Sequence, residues 1–113
     1  MEMFKTTEER SLYCQKIMKK HPDRIPVIIE QSDTIKLDNY KYLLPKEVTL
    51  ATFLSIIRTK INTTEKQALF TFVKSYNGYI MCPLSETMEN LYQNHRSEDN
   101  FLYMKFGIEN TFG

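Results

Sequence analysis

Two strand pairs, a strongly amphipathic helix lying between them and a single strand after a last helix predict an α+β fold. In its simplest form this is a β-grasp: a mixed four- to five-stranded sheet around one core helix, with the first and final strands pairing in parallel across the middle. A ferredoxin-like α+β sandwich gives a similar alternation, so periodicity alone leaves both arrangements open. The 113 residues make one domain, long enough to bury roughly two-thirds of its unfolded surface without covalent staples.

Each element has a local cause. Thr6 and Glu9 form a capping box, and Leu12, Tyr13, Ile17 and Lys20 follow at helical spacing until His21-Pro22 closes a first helix. Ile25-Pro26-Val27-Ile28-Ile29 is a β-branched run with a proline near its entry, which suits a strand. Tyr40 to Leu44 alternates and stops at Pro45, giving a second strand joined to the first by the polar loop Gln31–Asn39. Behind Thr49 as N-cap, Leu50, Phe53, Leu54, Ile57 and Ile61 draw one broad apolar stripe, the strongest helix signal in the chain. Thr64–Gln67 reads as a short helical turn and Ala68–Val73 as a strand. Tyr76-Asn77-Gly78-Tyr79 is a tight hairpin leading to Ile80-Met81-Cys82. Ser85 is the expected cap of a last helix whose Met88, Leu91, Tyr92 and His95 share a face, and Phe101–Phe106 alternates as the final strand.

Composition excludes several classes of function. A net charge of +1 argues against a dedicated nucleic-acid binder, although Lys16, Lys19, Lys20, His21 and Arg24 make the early chain locally basic. No run approaches the roughly 18 apolar residues of a membrane span. Cys14 and Cys82 lack CxxC spacing and follow no signal-peptide pattern, which fits small buried, reduced thiols in a cytosolic or nuclear protein. His21 and His95 stand apart from any metal-ligand spacing, and three glycines supply no phosphate loop. The expectation is therefore a monomer that is not an enzyme and holds no cofactor or metal. His95, on the apolar face of the last helix, reads as a structural histidine.

The ending Glu109-Asn110-Thr111-Phe112-Gly113 points instead to a chain that is itself a substrate. A terminal glycine offers no side chain to obstruct a narrow active site. Its carboxylate is a poor acyl donor, so transfer to an amine requires ATP-driven activation and capture as a thioester. An arbitrary frayed end is the competing reading of such a tail.

Five blocks carry a resemblance beyond periodicity: His21 through Glu30, Tyr42-Leu43-Leu44-Pro45, Leu91 through Asp99, Phe101-Leu102-Tyr103, and Glu109 through Gly113. In this order, and over essentially the whole chain, the sequence resembles the GABARAP family of autophagy ubiquitin-like modifiers. The resemblance implies a ubiquitin-like β-grasp domain (25–106) with added N-terminal helices (1–24) and a flexible tail (107–113). A short first helix is then expected around Phe4 to Glu9. It further implies that Gly113, presented by Phe112, is joined to the amino group of phosphatidylethanolamine by activating and conjugating enzymes of the autophagy pathway. Gly113 is then either the encoded last residue or one exposed by a processing cysteine protease. The protein would be cytoplasmic and would become autophagosome- or vesicle-associated through the lipid.

A second implied activity is recognition of cargo receptors carrying an aromatic-x-x-aliphatic peptide, added beside the second strand. Mapped onto this sequence, the aromatic pocket comprises Ile17, Pro26, Ile28, Lys41, Leu43 and Phe101, and the aliphatic pocket Tyr42, Leu44, Pro45, Val48, Phe53 and Ile56. Alternation requires Leu43 and Leu44 to point to opposite faces. Lys20, Arg24 and Arg58, with Lys41, are the cations assigned to acidic residues flanking the motif. Arg24 has a competing structural role, pairing with Glu98 or Asp99. Without the resemblance, all the apolar residues read as ordinary core.

The chain also departs from the family pattern. Tyr13 stands where an acid is typical, Asn39-Tyr40 replaces a lysine-rich approach to the second strand, the Gln31–Asn39 loop is shortened, and Ser75–Tyr79 is enlarged. Gly107-Ile108 replaces a more polar pair. Two other functions fit the same residues: an unconjugated β-grasp adaptor for vesicle traffic or microtubules, and a modifier attached to a protein lysine.

Overall fold

A computed structural model describes residues 6–31, 35–61, 64 and 66–110. The chain runs α1 (Thr7–Lys20), β1 (Arg24–Glu30), β2 (Lys41–Pro45), α2 (Leu50–Lys60), β3 (Gln67–Ser75), β4 (Gly78–Ile80), α3 (Met88–His95) and β5 (Leu102–Asn110). Its five strands form one mixed sheet in the order β2-β1-β5-β3-β4. The first and last strands are parallel, with Val27 opposite Leu102 and Glu30 opposite Lys105, while the other pairs are antiparallel. This is the β-grasp arrangement, and it excludes the ferredoxin-like alternative.

Alternation along β1 divides the core. Ile25, Val27 and Ile29 pack with Leu50, Phe53 and Ile57 of α2 and Met88 and Leu91 of α3. Ile28 points the other way, to Cys14 of α1 and Phe101. The caps expected at Thr6 and Thr49 are present, their hydroxyls accepting from the Glu9 and Thr52 N–H groups at 3.1 and 3.2 Å. Of the short helix expected around Phe4 to Glu9, Phe4 and Lys5 lie outside the described residues, while Thr7–Glu9 are the first turn of α1.

Several boundaries differ from expectation for tertiary reasons. Thr87, not Ser85, caps α3 and accepts from the Asn90 N–H at 3.2 Å. Residues around Ser85 are committed elsewhere, because the Leu84 and Glu86 carbonyls accept from the Ala51 and Leu50 N–H groups at 2.9 and 2.8 Å. In exchange, Met88 and Glu89 donate to the Val48 and Lys46 carbonyls. Two helix N-termini thus satisfy their orphan donors on each other's lead-in segments. This crossing also draws the chain out of the sheet after Ile80, so Met81 and Cys82 are not strand.

Strand β5 is longer than alternation predicts. Gly107–Asn110, expected as flexible tail, pair with Phe70–Gln67 of β3. At the Thr64–Gln67 turn, the Gln67 N–H donates to the Thr64 carbonyl at 3.1 Å and Gln67 already opens β3, while Glu65 lies outside the described residues. The loop before β2 is not purely polar, since Ile35 and Leu37 are buried in the main core. His95 accepts or donates at Nδ1 to the Ser75 hydroxyl at 3.1 Å.

Candidate functional site

Beside β2, on the face of the sheet covered by α1, lies a groove of about 520 Å³. Its apolar floor is made by Ile17, Pro26, Val27, Leu43 and Phe101, and its rim by Lys16, Lys20, His21 and Lys41. Backbone register causes this convergence: Pro26 lies opposite Leu43 and Ile28 opposite Lys41, which sets all four on one face. Of the expected aromatic set, Ile28 alone is absent from the groove wall. It is buried behind Phe101 against Cys14, supporting the floor from beneath.

Helical spacing supplies the opposite wall. Tyr13, Lys16, Ile17 and Lys20 recur at i, i+3, i+4 and i+7 on α1, and all four line the groove. Tyr13 sits 6.3 Å from the Phe101 ring and under the Lys41 ammonium, whose Nζ is 5.2 Å from its centroid. Tyr13 thus presents an aromatic face to a cation. Lys16 and His21 are rim residues absent from the expected set. The spacing of Lys16 with Tyr13 and Lys20 was the signal for it.

A buried polar clasp holds the α1 wall in place. Asp99 accepts from Arg10 Nε at 2.9 Å, from the Phe101 N–H at 3.0 Å and from the Tyr103 hydroxyl. It is therefore Arg10, not Arg24, that pairs with Asp99. Asn100, at φ 71°, turns the chain so that its carbonyl receives the Tyr92 hydroxyl at 2.8 Å and the Cys14 thiol at 3.3 Å. Burial, and secondarily the Asp99 charge, push the Cys14 thiol up to about 12, which leaves it an inert packing group at neutral pH. A larger cleft of about 1210 Å³, of mixed polar and apolar lining, lies next to this clasp and includes Arg10, Asp99 and Tyr103 in its wall.

The residues expected in the aliphatic pocket lie on the other face of β2. Tyr42 and Leu44 point toward α2, and Tyr42 stacks edge-on against Phe53 with centroids 5.4 Å apart. Phe53 is 0 % exposed and Leu44 7 %, so both are core residues that can serve only as a floor. Pro45 and Val48 are half-buried and Ile56 is 37 % exposed, and with Tyr42 these make up the accessible part of the set. The Tyr42 hydroxyl is buried with no hydrogen-bond partner among the described residues, and burial raises its pKa. Arg58 is exposed on α2; Lys20 and Arg24 are exposed near the groove, where Arg24 Nη1 donates to the Leu43 carbonyl at 3.1 Å.

Between these two faces runs the outer edge of β2, the first strand in the sheet order. A strand edge with no further strand beside it in the sheet order, an apolar floor and a cationic rim together can accommodate an extended, acid-flanked chain. Among the described residues no group of three or more His, Cys, Asp or Glu side chains is placed to hold a metal ion.

Comparison with known proteins decides the family. The family model described as "Autophagy protein Atg8 ubiquitin like" matches residues 9–113. The chain belongs to the Atg8 family. It is 40 % identical over 109 residues to autophagy-related protein 8d of Arabidopsis thaliana, covering 94 % of this chain and 88 % of that one. It is 39 % identical to autophagy-related protein 8 of Schizosaccharomyces pombe, covering 94 % and 87 %. The crystal structure of Trypanosoma brucei ATG8 superposes with a TM-score of 0.77 at 37 % identity, covering 98 % of this chain and 95 % of that one. As an Atg8-family member the chain is a ubiquitin-like autophagy protein, in agreement with the five sequence blocks. Phe112 and Gly113, the expected conjugation residues, fall within the family match but outside the described residues.

Proposed function

We propose that this Atg8-family protein is attached through Gly113 to phosphatidylethanolamine on autophagosomal membranes and there recruits partners bearing an aromatic-x-x-aliphatic motif. The recruiting half rests above all on the groove beside β2. Its floor of Ile17, Pro26, Leu43 and Phe101 suits an aromatic ring, and the exposed side of Tyr42, Pro45, Val48 and Ile56 suits the aliphatic residue on the far face of the edge. Lys16, Lys20 and Lys41 favour acids beside the motif. The conjugating half is supported by a family match that reaches Gly113.

A lipid anchor meets a physical need. Among the described residues no helix is long and apolar enough to cross a membrane. One phospholipid brings two acyl chains, each contributing roughly 0.8 kcal/mol per buried methylene. Conjugation would therefore carry a cytoplasmic protein to the vesicle surface, acting with the pathway's activating and conjugating enzymes and, where Gly113 must be exposed, a processing cysteine protease.

Incubation of the purified protein with those enzymes, ATP and phosphatidylethanolamine liposomes tests this reading. Intact mass should rise by one phosphatidylethanolamine less water, and Gly113→Ala should abolish the product. An unchanged mass with enzymes that are active on another Atg8-family protein would reject lipid conjugation. A mass shift on a protein lysine would favour the alternative modifier.

A further inference from the structure

The outer edge of β2 is already occupied, by side chains of the same chain. The Ile29 N–H donates to the Tyr40 carbonyl at 2.8 Å, which makes Ile29 and Tyr40 a hydrogen-bonded pair. In an antiparallel ladder such pairs alternate with pairs whose backbone groups face outward. Ile28·Lys41 and Pro26·Leu43 are the outward-facing pairs in this register. Pro26, which lacks an N–H, takes nothing from the ladder at such a position. On β2, the groups that an added strand would need are therefore the N–H and C=O of Lys41 and Leu43.

Asn39 meets both groups of Lys41. Its Nδ2 donates to the Lys41 carbonyl at 2.7 Å and its Oδ1 accepts from the Lys41 N–H at 3.2 Å. The opposite amide orientation would break both bonds, so the geometry fixes which way the carboxamide points. A carboxamide carries the donor and acceptor of a peptide group, and here it sits where the peptide group of a docking strand would sit. Arg24 occupies the Leu43 carbonyl in the same fashion.

We propose that Asn39 is a built-in strand surrogate: it plugs the β2 edge at Lys41, and an incoming extended peptide must displace it to add as a strand. The proposal rests on the peptide-docking reading above and deepens it by naming the residue that sets the threshold for entry. Asn39 is exposed and uncharged, so the plug acts without attracting or repelling acidic peptides. It selects for partners whose backbone offers both a donor and an acceptor opposite Lys41. Apparent affinity is lowered by the fraction of molecules with the plug in place.

Two measurements on the full chain and its Asn39→Ala variant test this. Without peptide, amide hydrogen exchange of Lys41 should quicken severalfold in the variant while Val27, inside the ladder, stays unchanged. In titration with a synthetic aromatic-x-x-aliphatic peptide preceded by three glutamates, the variant should bind about three- to tenfold more tightly, since two solvent-exposed hydrogen bonds no longer compete. If both proteins bind the peptide at β2 with equal affinity, or the variant binds more weakly, the plug is refuted while the docking reading stands. If Lys41 exchange is the same in both proteins, the plug is likewise refuted. If Lys41 exchange quickens but neither protein binds the peptide, the docking reading fails and the proposal falls with it.

Discussion

The sheet has two outer strands, and they solve the same problem differently. An unpaired edge invites pairing with any extended chain. At one end, β4 spans only Gly78–Ile80, follows a turn that needs Gly78 at φ +119°, and leaves the sheet for the α2 N-terminus. At the other, β2 keeps five residues and covers the Lys41 N–H and carbonyl with Asn39 and the Leu43 carbonyl with Arg24. A short strand is protected permanently; a strand covered by side chains is protected reversibly. That difference supports the proposal that β2 is the docking edge, even though β4 carries apolar side chains in plainer view, with Tyr79 and Ile80 both exposed.

The largest effect should come from removing the wall that makes β2 more than an edge. Asp99 holds α1 to the start of β5 through three donors. Asp99→Ala strands the Phe101 N–H and the Tyr103 hydroxyl and removes the acceptor of Arg10 Nε, a side chain that is already a quarter exposed and can rehydrate there. The expected loss is about 2–3 kcal/mol in urea unfolding, below the full cost of breaking a wholly buried pair. Cys14 should report the location of the damage. Its thiol, pushed up to about 12 by burial and then by Asp99, should alkylate slowly at pH 8 and much faster in the variant, because both causes weaken together. Equal alkylation rates would show that the clasp does not hold the α1 wall.

A smaller and more selective effect should separate the two edges directly. Leu43→Asp places a charge on the groove floor beside β2, whereas Ile80→Asp places one on β4. Losing a half-buried leucine contact amounts to about 1.5–2 kcal/mol, so Leu43→Asp should weaken the peptide at least tenfold by calorimetry. Ile80→Asp should leave affinity within twofold. A reversal of this order would move the docking edge to β4.

How much of this contrast is legible in the sequence depends on whether its cause is local. The α2 stripe, the Thr6 and Thr49 caps and the parallel pairing of β1 with β5 follow from spacing and element order, and all are found. So does the opposition of Leu43 and Leu44. Gly107–Asn110 gave no strand signal, because Gly107 and Glu109 interrupt the alternation and the pairing comes from β3. Thr87 outcompetes Ser85 through backbone bonds to a segment distant in sequence. Phe53 and Leu44 belong to an expected pocket yet lie in the core, since alternation gives the face a residue occupies and not its depth. Isolated Ile35 and Leu37 carry no period at all. The Asn39 plug is local in sequence, a side chain bonding to the backbone two residues on, but asparagine does this in many turns. Only the sheet order shows that the groups it covers are an outer edge.

The smallest effect concerns charge, and it sharpens what the α1 wall adds to β2. Lys16 and Lys20 sit on the groove rim and are exposed, so each pairing with an acidic partner residue contributes about 0–1 kcal/mol. Lys20→Glu should therefore lower affinity for a glutamate-flanked peptide only a few-fold at low salt, mainly by slowing association. The deficit should shrink as ionic strength rises past about 0.15 M, where the screening length falls to about 8 Å. The same peptide with its glutamates replaced by glutamine should not distinguish wild type from variant by more than a residual packing term, because the lysine stem also covers apolar surface. A salt-independent loss that persists with the neutral peptide would assign Lys20 to packing on the groove and would leave Lys41, held over the Tyr13 ring, as the cation nearest the docked chain.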